Sequence, residues 1–272
     1  MADLFANRPR ATVDGKFFRR GAEKLFLKGV TYGPFAPNAA GEPFATPEQT
    51  ARDFALAGEL GANLLRIYHV PPRWFLELAA QQELLLLVDI PWDKHLVFLD
   101  DTARRAAARQ AVCHAVLACA QHPAVFAYSV ANEIPADIVR WSGAARVADF
   151  IDELVAEAKR LDPQCLCTFT NFPPTEFLRP QSLDFICFNV YLHQPQPFKA
   201  ISPGCNCWRR PSHCCWGNLA WIPCAKAKPP NVKCSRGRLN SPFAPDWPEP
   251  WCSVSRTTGI GAASRLPTGK WG

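Results

Sequence analysis

The sequence has a single methionine, Met1, and nowhere holds an apolar run near the ~18 residues of a membrane-spanning helix. Met1 to Arg10 already carries Asp3, Arg8 and Arg10, and no apolar stretch of signal-peptide length follows. The expected compartment is therefore the cytoplasm. There is no phosphate-cradling glycine loop and no cysteine or histidine spacing of a standard zinc site. These absences leave no expected metal, organic cofactor, nucleic acid or membrane as a partner, and nothing points to a protein partner. One further absence matters most: residues 185–232 contain no Asp or Glu.

What is present divides near residue 200. Residues 1–200 hold 20 Lys+Arg and 22 Asp+Glu, a net of −2; residues 201–272 hold 10 and 2, a net of +8, which together give the +6 of the whole chain. Seven of the 12 cysteines and six of the nine tryptophans fall in the last 72 residues. The expected organisation is thus a folded unit over 1–200 and a basic tail rich in Cys, Trp and Pro over 201–272. A basic tail ordinarily suggests an anionic partner, but one so unlike the preceding chain needs its own explanation first.

Up to residue 200, short apolar runs alternate with amphipathic segments, the pattern of repeated βα units. Asp14-Gly15 reads as a hairpin turn before a first barrel strand at 25–30. Thr46-Pro47-Glu48-Gln49 opens a helix with a Thr cap, Pro at the first helical position and an early acid. Further strands are expected at 63–68, 84–89, 125–130, 165–170 and 183–190, and helices at 74–82, 102–121 and 147–160. The run at 84–89 is continuously apolar, as in a strand buried on both faces. Six strands separated mostly by helices point to an α/β fold, an incomplete (β/α)8 TIM barrel of about six units.

In such a barrel, chemistry collects at the carboxyl ends of the strands. Those ends carry Tyr32, Arg66-Ile67-Tyr68-His69, Asp89 with Trp92, Asn132-Glu133, Asn171, and Asn189-Val190-Tyr191. The set holds an arginine, an Asn–Glu pair, aromatics and amides. Duller roles remain open for each. Asn132-Glu133 could cap a helix, and Arg66 could form a structural ion pair. Tyr191 and Trp92 could be core or rim aromatics, and His69 could serve packing. Asp89 could brace a loop, and Glu176, in Pro173-Pro174-Thr175-Glu176, the one other candidate catalytic acid, could cap a short helix.

Four segments in order, Lys28-Gly29-Val30-Thr31-Tyr32-Gly33, Arg66-Ile67-Tyr68-His69, Ala131-Asn132-Glu133-Ile134-Pro135 and Phe188-Asn189-Val190-Tyr191, resemble the retaining β-glycosidase clan. They are closest to the family 2-like barrels of β-galactosidases, β-glucuronidases and β-mannosidases, over roughly residues 13–200. The resemblance implies that Glu133 is the acid/base carboxyl and that Asn132 donates to the sugar 2-hydroxyl. It also implies that Arg66 and Tyr191 hold the nucleophile, while His69, Trp92 and Asn189 line the sugar site. A retaining mechanism needs a second carboxylate about 5–5.5 Å from the first. The clan takes it from a Glu at the end of strand seven, and this chain has no acid there. The other readings are a non-catalytic carbohydrate-binding barrel and a barrel enzyme of unrelated chemistry.

Cys205-x-Cys207 and His213-Cys214-Cys215 match no standard zinc pairing. A slip of the coding frame near Ala200 accounts for more. Taking the last base of each codon with the first two of the next, residues 213–217 must give Leu-Leu-Leu-Gly whatever codons were used. Gly217-Asn218 then allows Lys, Gln, Glu or a stop, Trp221-Ile222 must give Asp, and Trp251-Cys252 must give Val. With permissive codon choices the tail becomes a helix, an apolar strand ending in Glu, and a later Trp-bearing strand. The expectation is a barrel translated out of frame beyond residue 200, unstable or aggregating as written and without its nucleophile.

Overall fold

The computed structural model describes residues 9–15, 17–119, 121–190 and 217–220. Two sheets result. An antiparallel one joins β1 (Ala11–Asp14), β2 (Phe17–Arg20) and β3 (Glu23–Leu25). A parallel one runs in the order β10-β9-β8-β7-β6-β5-β4. Its members are β4 (Gly29–Thr31), β5 (Leu64–Ile67), β6 (Leu85–Asp89), β7 (Val125–Asn132), β8 (Cys167–Asn171), β9 (Cys187–Val190) and β10 (Gly217–Ala220). The sheet is an incomplete TIM-type barrel whose edges, β4 and β10, do not pair with each other.

Each helix follows from its sequence. Helix α1 (Pro47–Glu59) starts where the Thr46 hydroxyl accepts from the Gln49 N–H at 3.3 Å. Helices α2 (Arg73–Gln81) and α3 (Thr102–Cys119) cover the next two crossovers. After β7 come α4 (Ala136–Ser142) and α5 (Ala144–Leu161), which buries Val147, Phe150, Ile151, Leu154 and Val155 at helical spacing. None of the described helices is long and apolar enough to cross a membrane.

The two-residue period of the strands sorts the core into two layers. Leu86 and Val88 of β6 pack with the helices, while Leu85 and Leu87 face inward with Leu64, Phe126 and Cys187. The β1–β2 hairpin closes the amino-terminal mouth, since Phe18 stacks edge-on against Phe126 at 4.9 Å and Phe185 at 5.2 Å.

Four expectations need correction. The run at 25–30 is not one strand: Glu23–Leu25 completes the antiparallel sheet and the first barrel strand is Gly29–Thr31. Asn132 lies inside β7 rather than after it, and α4 stands where no helix was expected. A seventh parallel strand exists, with Gly217 opposite Cys187 and Ala220 opposite Val190. The rest of the 201–272 tail lies outside the described residues.

Candidate active site

Arg66 and Asp89 sit on the inward face of β5 and β6 because they continue the alternation of Leu64 and of Leu85 and Leu87. Asn189 continues Cys187 on β9 in the same way. The three therefore stand above an apolar floor at the carboxyl ends of their strands, where a parallel barrel places its chemistry.

There the side chains form one network. Arg66 donates to Asp89 Oδ2 from Nε at 3.0 Å and from Nη2 at 2.6 Å. It also donates to Asn189 Oδ1 at 2.6 Å and to Asn132 Oδ1 at 2.9 Å. Asn189 passes the connection on, its amide donating to Asn132 Oδ1 at 3.0 Å and to Glu133 Oε1 at 2.5 Å. Burial pulls the Arg66 guanidinium down, but the facing Asp89 carboxylate outweighs it, and the net shift is upward. Arg66 is thus a fixed cation that orients two amides and, through them, Glu133.

The backbone of Glu133 has φ +48°, a left-handed conformation that a side-chain-bearing residue rarely adopts. Its N–H is held by the Thr170 carbonyl at 2.8 Å. Such strain costs on the order of 1–3 kcal/mol and persists where surrounding structure fixes it, often at functional sites. Here it turns the carboxyl toward Asn189.

Other expected residues fall in different places. His69 is half-buried, with its ring edge-on to Phe44 at 6.3 Å, and burial lowers its pKa. The Trp92 indole N–H donates to the Val130 carbonyl at 2.8 Å, and the ring packs edge-on against Phe98 at 5.0 Å. That contact fixes the loop after β6 against β7, two residues before Asn132. Tyr32 turns toward α1, where its hydroxyl meets Asp53 at 3.1 Å. Asn171 clamps the turn that follows it, through Thr175 at 2.6 and 2.9 Å. Glu176 caps that turn and is exposed. Tyr191 lies outside the described residues.

Two groups were not singled out from the sequence. The Tyr68 ring lies 5.2 Å from the Arg66 guanidinium carbon, and burial raises its pKa. Burial lowers the pKa of Lys94, while the Asp89 and Glu133 carboxylates pull it up. Its backbone N–H bonds the Trp92 carbonyl at 2.8 Å. Its position two residues past Trp92 was the available signal. Among the described residues no group of three or more His, Cys, Asp or Glu side chains is arranged to hold a metal ion.

A parallel partial barrel with this arginine–amide–carboxyl cluster has the fold of the family 2-like glycoside hydrolase barrels. In particular, a Bifidobacterium dentium β-glucuronidase complexed with coumarin-3-O-glucuronide superposes with a TM-score of 0.64 at 16% identity, over 76% of this chain and 34% of that one. A Bacteroides uniformis β-glucuronidase 2, covalently bound to cyclophellitol-6-carboxylate aziridine, gives 0.61 at 18%, over 76% and 26%. The chain thus spans about a quarter to a third of those proteins. The 1,3-β-glucanosyltransferase gel1 of Aspergillus fumigatus is 39% identical over 59 residues, 22% of this chain and 13% of that protein. No family model matches the chain.

Proposed function

We propose that residues 1–200 are part of a retaining β-glycosidase barrel whose acid/base carboxyl is Glu133 and whose nucleophile is missing from the chain as written. The observation that carries this reading is the continuous hydrogen-bond path from Arg66 through Asn132 and Asn189 to Glu133. In a retaining reaction Glu133 gives its proton to the glycosidic oxygen while the second carboxylate attacks the anomeric carbon. It then takes a proton from the acceptor that releases the sugar. The oxygen of Asn132 is occupied by Arg66 and Asn189, which leaves its amide hydrogens for a sugar hydroxyl.

The similarity to a glucanosyltransferase supports a sugar hydroxyl, as well as water, in the acceptor role. The missing carboxylate supports the out-of-frame reading of the tail. β10, at Gly217–Ala220, begins at the codons whose shifted reading allows the Glu that ends the apolar run.

The test is a protein with the frame restored beyond Ala200, assayed on aryl β-glycosides, beside its Glu133→Ala variant with and without azide. The expected result is turnover in the restored protein, its loss in the variant, and recovery with azide as a β-glycosyl azide. Turnover that survives Glu133→Ala would remove Glu133 from the mechanism. A non-catalytic carbohydrate-binding barrel is the second reading, favoured by the absence of any acid over residues 185–232. Sugar binding without turnover in the restored protein would support it.

A further inference from the structure

Resting on the sugar-site reading above, we infer that Trp141 and Phe177 form a stacking platform for sugar units beyond the bond that Glu133 serves. The ligand is then a β-linked oligosaccharide rather than a single glycoside. Helix α4 begins three residues after Glu133. Its Val139 and Ser142 are buried, whereas Trp141 is 74% exposed. On the neighbouring strand, Asn171 fixes the turn Pro173–Thr175, which packs against α4 and leads into Phe177, 46% exposed. Two touching elements, each following one of two adjacent strands at its carboxyl end, thus each lead to an uncovered aromatic ring.

The other large exposed apolar residues lie elsewhere. Phe17 and Phe26 belong to the hairpin region at the opposite mouth, where they meet edge-on at 6.4 Å. Leu56 and Leu60 lie at the outer end of α1 and Leu117 on α3. Among the described residues, Leu96 is the other one on the site face, in the loop after β6. Scattered apolar exposure is ordinary, but exposed aromatic rings on two packed elements that follow the site strands suit a binding surface. Asp137 and Arg140, on the same helix as Trp141, and Glu176, next to Phe177 in the chain, are exposed, and such a mix of rings and polar groups suits a pyranose. Such a sugar offers a flat C–H face inside a rim of hydroxyls.

The experiment is calorimetric titration of the frame-restored protein, carrying Glu133→Gln to stop turnover, with β-linked gluco-oligosaccharides of two to six units, beside the same protein carrying Trp141→Ala, Trp141→Phe or Phe177→Ala. The expected result is affinity that rises about tenfold from two units to four. Trp141→Ala erases that rise and leaves disaccharide binding within twofold, while Trp141→Phe keeps most of it and Phe177→Ala reduces it. Unchanged thermal unfolding of the variants separates loss of the platform from loss of the fold. Affinity independent of length, or a rise that survives Trp141→Ala, overturns the platform alone. A parent chain that binds none of the sugars overturns the sugar-site reading and the platform with it.

Discussion

Arg66 spreads three donor nitrogens over one carboxylate and two amide oxygens, all at the inner ends of neighbouring strands. Its side chain is 2% exposed and that of Asp89 is 5% exposed. Removing one partner of a buried pair leaves the other charged and unsolvated, at a cost of about 3–5 kcal/mol. Arg66→Met is therefore expected to lose that much in urea unfolding of the frame-restored protein. Arg66→Lys should recover less than half, because an ammonium cannot reproduce the planar fork. A loss below about 1 kcal/mol for Arg66→Met would show that the pair is not the anchor of the network. Asn189 links that anchor to the Glu133 carboxyl, donating to its Oε1 at 2.5 Å. Asn189→Ala in the restored protein should lower kcat about 10²-fold, as for loss of one preorganised donor. KM should change little. Equal loss in kcat and in stability would make Asn189 a packing residue instead.

At the level of elements, the legible parts were those with a strong period or a strong cap. The run ending at Asp89 announced itself because both faces of a parallel strand are buried. Thr46-Pro47 announced α1 because both residues satisfy helix-start geometry. The same alternation places Arg66, Asp89 and Asn189 on one inner face, so most of the candidate site was readable once strands were assigned. The role of Trp92 was not, because its indole partner is a backbone carbonyl of another strand. Helix α4 was missed because seven residues carry too little period to be seen. It is bounded by Pro135 and by Gly143, whose φ of +88° with ψ of 126° is glycine territory. A Cβ there would meet nothing within 4 Å, so the cost of Gly143→Ala is purely conformational. The expected loss is about 1–3 kcal/mol in urea unfolding. A neutral result would mean that the α4–α5 junction relaxes freely, and Trp141 would not be held where the platform needs it.

Over the described residues the molecule is an incomplete barrel. Among the described residues seven parallel strands stand where closure takes eight, with β10 at one edge of the sheet and β4 at the other. Beside that edge lies an open cavity of about 380 Å³ lined by Val30, Phe35, Leu56, Leu60 and Leu65 among others. Leu60 is 63% exposed, an unusual position for a leucine at the outer end of a barrel helix. Water at an apolar groove and an uncovered strand edge both lower the cost of unfolding and favour association of exposed surfaces. Frame restoration adds apolar strand sequence at the point where the sheet stops. The restored protein is therefore expected to unfold cooperatively as a monomer. The chain as written should bind the dye ANS, melt at least 10 °C lower or without a sharp transition, and associate at micromolar concentration. Calorimetry with light scattering on the two proteins decides the matter. Equal melting temperatures and equal monomer content would mean that the tail completes the fold by itself, and its composition would then need a structural explanation rather than a coding one.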